Sequence, residues 1–154
     1  MRQLGNLAKI PEFDKAFWKH LGDEICDEIR VQTQVNSKDV HNRKFKAYSR
    51  GYAERKPKIR RGSGSGSKVN LTLTGDMMRN LQTRGYSKDS VIIGWSGVDA
   101  QKVQQNEEMG RAVTTKSRPL SKGSLRLIEV QTNKRIKRNA DKETAKPINF
   151  KIGK

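Results

Sequence analysis

From Phe13 to Ile29 the chain returns to a hydrophobic residue every four positions: Phe13, Phe17, Leu21, Ile25 and Ile29, with Trp18 and Cys26 beside them. That spacing puts one apolar stripe on a helix and predicts an amphipathic helix of about six turns over residues 10–35. Pro11 suits its first position, and Glu12 and Asp14 suit a first turn where the helix dipole favours acids. Asp23, Glu24, Asp27 and Glu28 set like charges four residues apart, mildly unfavourable unless basic groups face them. They read more simply as a solvated face than as a metal or partner site.

The pattern then dissolves. Residues 36–68 show neither a helical nor a strand period, and are expected to form a basic flexible loop ending in Pro57 and the run Gly62–Ser67. At Val69 an alternation begins, with Val69, Leu71 and Leu73 against Asn70, Thr72 and Thr74, which predicts a half-buried strand. Gly75 breaks it, and Asp76–Leu81 reads as a short helix carrying Met77, Met78 and Leu81. Ser90–Ser96 predicts a second strand with Val91, Ile93 and Trp95 on one face. Gln101–Met109 is a helix or a turn, and Arg111–Thr115 a third strand closed by Pro119.

Ser121 or Ser124 caps a last helix with Leu125, Ile128, Thr132 and Ile136 on one side; Leu125, Leu127 and Val130 also fit a short strand. Residues 69–139 are thus the core sheet and C-terminal helix, and residues 140–154 an extended tail too polar to fold alone. The expected buried set is Leu71, Leu73, Met77, Leu81, Ile93 and Trp95, within one domain spanning 1–154.

Charge sharpens this division. The 154-residue chain has a formal net charge of +17 and is only 32% hydrophobic, enough for one modest core. Arg43–Arg61 holds nine basic residues against one acid, and Lys116–Lys154 twelve against three, while the remainder nearly cancels. The basicity therefore belongs to one loop and to the C-terminal segment, and its field favours anionic partners. A single cysteine excludes an internal disulfide. The N-terminal residues lack a secretory pattern and no apolar run approaches a membrane span, so an intracellular, membrane-free setting is expected.

Candidate chemistry is sparse. Gly62 and Gly66 miss the spacing of a phosphate loop, with Ser67 where its lysine should stand, and the run precedes its strand rather than coming after one. A dinucleotide fingerprint fails as well, since Ser67 occupies the place of the third glycine. The run has the composition of a linker. His20 and His41 are the only histidines, and no zinc spacing exists. Cys26 lies in the helix stripe and reads as a packing residue. No catalytic, cofactor or metal site is expected, and no enzyme.

The candidate contact residues are Arg43, Lys44, Lys46, Arg50, Arg55, Lys56, Lys58, Arg60 and Arg61 in the loop, and Lys134, Arg135, Lys137 and Arg138 near the end. They face either a neighbouring subunit or DNA. Phe45, Tyr48 and Tyr52 among them either stack on single-stranded bases or pin the loop to the core while the lysines stay wet.

The order of segments resembles a known family. "FKAYSRGYAERK" (Phe45–Lys56), "VNLTLTGDMMRNL" (Val69–Leu81), "SVIIGW" (Ser90–Trp95) and "DAQKVQQNEEMGR" (Asp99–Arg111) resemble the virion-morphogenesis proteins of tailed bacteriophages, the neck, tail-completion or minor tail proteins at the head–tail junction. The Leu-Thr-Gly-Asp-Met step is the most specific part. After Arg111 the chain departs from the family, which has an aromatic residue and a second glycine there. The resemblance implies an α+β fold, with a long N-terminal helix and a C-terminal helix packed on a small antiparallel sheet. It implies a six- or twelve-fold homo-oligomeric ring joining portal or adaptor proteins to tail proteins in a virion assembled in the host cytoplasm, with nonspecific DNA contact in the channel. A basic module that binds nucleic acid without sequence preference is the alternative.

Overall fold

The computed structural model describes residues 13–59, 68–71 and 75–144. Asp14 begins the first helix. Its backbone is extended (φ −81°, ψ 169°) and its carboxylate accepts the Phe17 N–H at 2.7 Å, satisfying a donor that has no partner inside the helix. That cap sets the start of α1 (Lys15–Arg30) five residues later than the periodicity predicts; Pro11 and Glu12 lie outside the described residues. Val31–Val35 continue α1 as a π-helical turn, so its far end agrees with the expected one.

The stripe of α1 is the centre of the core. Leu21, Ile25, Cys26 and Ile29 are buried, joined by Met77, Met78, Leu81, Val103 and Val113, with Phe17, Trp18, Leu71, Ile93 and Trp95 packed against them. The expected Met77 and Leu81 are buried, Leu71, Ile93 and Trp95 partly so, and Leu73 lies outside the described residues. Burial raises the Cys26 thiol pKa, consistent with an inert packing role.

Residues 36–49 close a tight loop. Asp39 Oδ1 accepts from the His41 and Arg43 N–H groups while Oδ2 pairs with the Arg43 guanidinium at 3.0 Å. Val40, 2% exposed, is tucked against the chain at Ala112, its N–H donating to Ala112 O at 2.9 Å. The next segment is helical, not irregular: α2 (Arg50–Ile59) opens where the Ser49 carbonyl accepts from Tyr52 and Ala53. Pro57 has no N–H to offer the Ala53 carbonyl, and the helix ends two residues after it, at Ile59. The run Gly62–Ser67 and the cations Arg60 and Arg61 lie outside the described residues.

The strand expected from Val69 is not formed over its described part, Val69–Leu71. Leu71 has φ +50°, in the left-handed region, and its N–H donates to Tyr48 Oη at 3.1 Å instead of to a neighbouring strand. Gly75, at φ +85°, then turns the chain into α3 (Asp76–Arg79). The first strand among the described residues comes later: β1 (Gln82–Tyr86) pairs antiparallel with β2 (Val91–Gly94), with an irregularity between Thr83 and Gly85. The helix expected at Gln101–Met109 is α4 (Gly97–Glu108). Arg111–Thr115 forms no strand; its Ala112 carbonyl serves Val40 alone, too little for a ladder.

The last helix is α5 (Lys122–Thr144), capped by Ser121, whose Oγ accepts the Ser124 N–H at 3.0 Å. It continues past Asn139, so residues 140–144 are helical and not extended. Its buried side is turned from the expected one. Ser124, Ile128, Gln131 and Arg135 face inward, while Leu125 and Ile136 are 52% and 43% exposed. The polar groups of α1 choose this face: Glu28 accepts from Ser124 Oγ at 2.6 Å, Glu24 from Gln131 at 3.0 Å, and Asp14 pairs with Arg135 at 2.6 Å.

The architecture is α+β. The two-stranded sheet and α5 flank α1. Among the described residues no helix is long and apolar enough to cross a membrane.

Candidate functional site

Three stretches that are distant in sequence meet around the ring of Tyr48. Tyr52, one helical turn later, lies 4.7 Å from it between ring centroids. Lys56 Nζ stands 4.8 Å from the Tyr48 centroid, and Arg111 Cζ lies 4.9 Å from it. Aromatic faces carry negative potential, so each cation is attracted to the ring, more strongly where water is excluded.

Each cation is also anchored by hydrogen bonds. Lys56 donates to Asn70 Oδ1 at 2.5 Å. Arg111 donates to the Lys46 and Ala47 carbonyls, both at 3.0 Å, closing the loop ahead of α2 onto the end of α4. Gly110, at φ +75°, makes the turn that aims Arg111 there. The same burial shifts two titrations: it lowers the Lys56 pKa and raises that of Tyr48. In front of the tyrosines is an open groove of about 510 Å³, lined among others by Met77, Lys102, Asn106 and Met109.

The placement of the expected contact residues is mixed. Phe45 is buried, and Tyr48 and Tyr52 are half-buried within the cluster. Lys56 is 0% exposed, so it is an internal strut of the cluster and faces neither a subunit nor DNA. Arg43 is exposed but tied to Asp39, Arg50 is tied to Glu54 at 2.9 Å, and Arg55 donates to Gly51 O. Lys44, Lys46 and Lys58 are exposed. On α5, Lys134, Lys137 and Arg138 point outward while Arg135 turns toward α1.

Two members of the cluster, Arg111 and Asn70, were not singled out from sequence as contact residues. The only sequence signal for Arg111 is the Gly-Arg pair in the resembled pattern. Chemically the cluster is an anchor: two backbone carbonyls hold Arg111 and the Asn70 side chain holds Lys56, both beside the Tyr48 ring. Among the described residues no group of three His, Cys, Asp or Glu side chains gathers as a metal site. No family model, no curated protein and no solved structure matches the chain.

Proposed function

We propose that this chain is a non-catalytic structural connector of a tailed-phage virion. Copies of it form a ring at the head–tail junction, between portal-side and tail proteins. One observation carries the reading. Pieces of three of the four resembling segments come together: Tyr48, Tyr52 and Lys56 from the first, Met77 from the second, and Asn106 and Arg111 from the last. A pattern that reflects a shared fold has to meet in space in this way, whereas chance matches have no such need.

The organisation supports it as well. A core built around one helix presents a basic loop and a long basic helix to its surroundings, a shape suited to reaching neighbouring copies. Ring contacts would bury apolar side chains that a monomer leaves exposed, among them Val31, Val35, Leu125 and Ile136.

Native mass spectrometry of the purified chain, with electron microscopy of the same sample, tests the proposal. A closed assembly of six or twelve copies is the expected result, either alone or once portal-side proteins are added. A chain that stays monomeric in both conditions, and is missing from purified particles by peptide mass spectrometry, would overturn it.

A further inference from the structure

Helix α5 is differently made on its different sides. Ser124, Ile128, Gln131 and Arg135, which meet α1, fall within about 60° of one another at 100° per residue. Arg126, Lys137, Lys134 and Arg138 occupy a separate arc about 120° wide, spread over roughly 18 Å of the helix axis. All four are exposed, and none forms a salt bridge among the described residues. Elsewhere in the protein several arginines are matched: Arg30, Arg43, Arg50, Arg79 and Arg135 each hold a carboxylate. Lys122 and Lys142, also exposed, lie about 100° to either side of the centre of this arc, and Asp141 is the one acid within the arc among the described residues of α5.

We propose that this face of α5 binds the phosphate backbone of double-stranded nucleic acid without reading its sequence. Charge complementarity selects an anionic partner, and the rest of the face selects among anions. Helix α5 contains no aromatic residue on which bases could stack, which single-strand binding uses. Within the arc the apolar side chains are Val130, which is exposed, and Leu127, which packs against the core, so a membrane has no wide apolar stripe to take up. From Arg126 to Arg138 the face runs roughly 18 Å, about half a turn of B-form DNA. Cations gathered on that scale can meet several phosphates at once and release their counterions. The inference stands on the monomer and does not rest on the ring proposal.

The test is fluorescence anisotropy of the full chain with labelled duplexes of two unrelated sequences, each about three turns long, titrated between about 50 and 200 mM salt. Both duplexes should bind alike, with affinity falling steeply as salt rises. The triple variant Lys134→Gln, Lys137→Gln, Arg138→Gln should flatten the slope of log K against log salt by up to about 3. Circular dichroism should be unchanged, since these side chains lie outside the core. The loop variant Lys44→Gln, Lys46→Gln, Lys58→Gln should keep the wild-type slope.

No duplex binding at the lowest salt, or equal slopes for the wild type and the α5 variant, would overturn the proposal. So would a loss as large in the loop variant as in the α5 variant. Vesicles of anionic phospholipid that bind through the same lysines while duplex binds without them would reassign the face to lipid and also overturn it. Loss of ring assembly with duplex binding intact would count only against the connector reading.

Discussion

Gly22 in α1 and Val91 in β2 stand so close that a methyl group on Gly22 would lie 2.6 Å from Val91 Cγ2, and 2.7 Å from Thr83 Oγ1 of β1. The sheet rests on the helix backbone at this point. Gly22→Ala is therefore expected to destabilise the fold by about 1–3 kcal/mol through overpacking. Val91→Ala in the same chain should recover part of that loss. Urea unfolding of both single variants and the double variant measures it, and strict additivity would show that the two positions do not press on each other.

Lys56 gives a pH signature. Burial holds its folded pKa below the ordinary lysine value of 10.5, so between those two values the unfolded chain binds the extra proton. Stability must then rise with pH across that window, and the penalty for the buried charge is fully present below it. Lys56→Met removes the titration at similar volume. The stability difference between wild type and variant should move in favour of the wild type from neutral pH toward 10.5. A difference that stays constant over this range would mean that Lys56 titrates as a solvated lysine.

Asp99 works in the opposite direction. Its hydrogen bond with Lys102, and next that from Asn80, hold its carboxyl below the ordinary value of 3.8. The stabilisation is present above that value and lost as pH falls through the lower, folded one. Asp99→Asn should lower the urea midpoint at neutral pH, and the gap to wild type should close in acid. A gap of the same size at pH values well below 3.8 would refute the assignment.

Ser124 is 0% exposed and donates to Glu28 at 2.6 Å. A hydrogen bond to a charged group is worth more than an ordinary one, so Ser124→Ala should cost about 1.5–3 kcal/mol. Ser121→Ala, which removes the cap, should cost about 1 kcal/mol. Thermal unfolding followed by circular dichroism ranks them, and the reverse order would mean that the cap, not the seam between α1 and α5, sets the position of α5.

The helices were legible where apolar residues recur with their period, as along α1. Three features escaped for physical reasons. β1 reads Gln-Thr-Arg-Gly-Tyr, without an apolar alternation, because, of its two half-buried positions, Thr83, beside Gly22, is polar and Gly85 has no side chain. The Val69–Leu71 alternation forms no strand over its described part, since the Tyr48 hydroxyl takes the Leu71 N–H and no strand among the described residues pairs with it. The buried side of α5 was misplaced because Glu24, Glu28 and Asp14 choose it through hydrogen bonds and an ion pair, which a hydrophobic period does not register. The tyrosine–cation cluster was visible only as separate words: Lys56 looked like one surface cation among nine until the fold enclosed it.

The junction of α5 with α1 makes the last helix a beam clamped over part of its length. Its fastenings to α1 run from Ser124 to Arg135, and nine helical residues continue past Arg135, roughly 13 Å of axis. A pivot of about 10° at Arg135 would move the far end by only ~2 Å, but the same pivot at Gln131, held to Glu24, would sweep it through ~3 Å. The Asp14–Arg135 ion pair thus decides which of these two fulcra operates. Whatever meets the end of α5 finds either a stiff peg or a swinging one, according to whether that pair is closed.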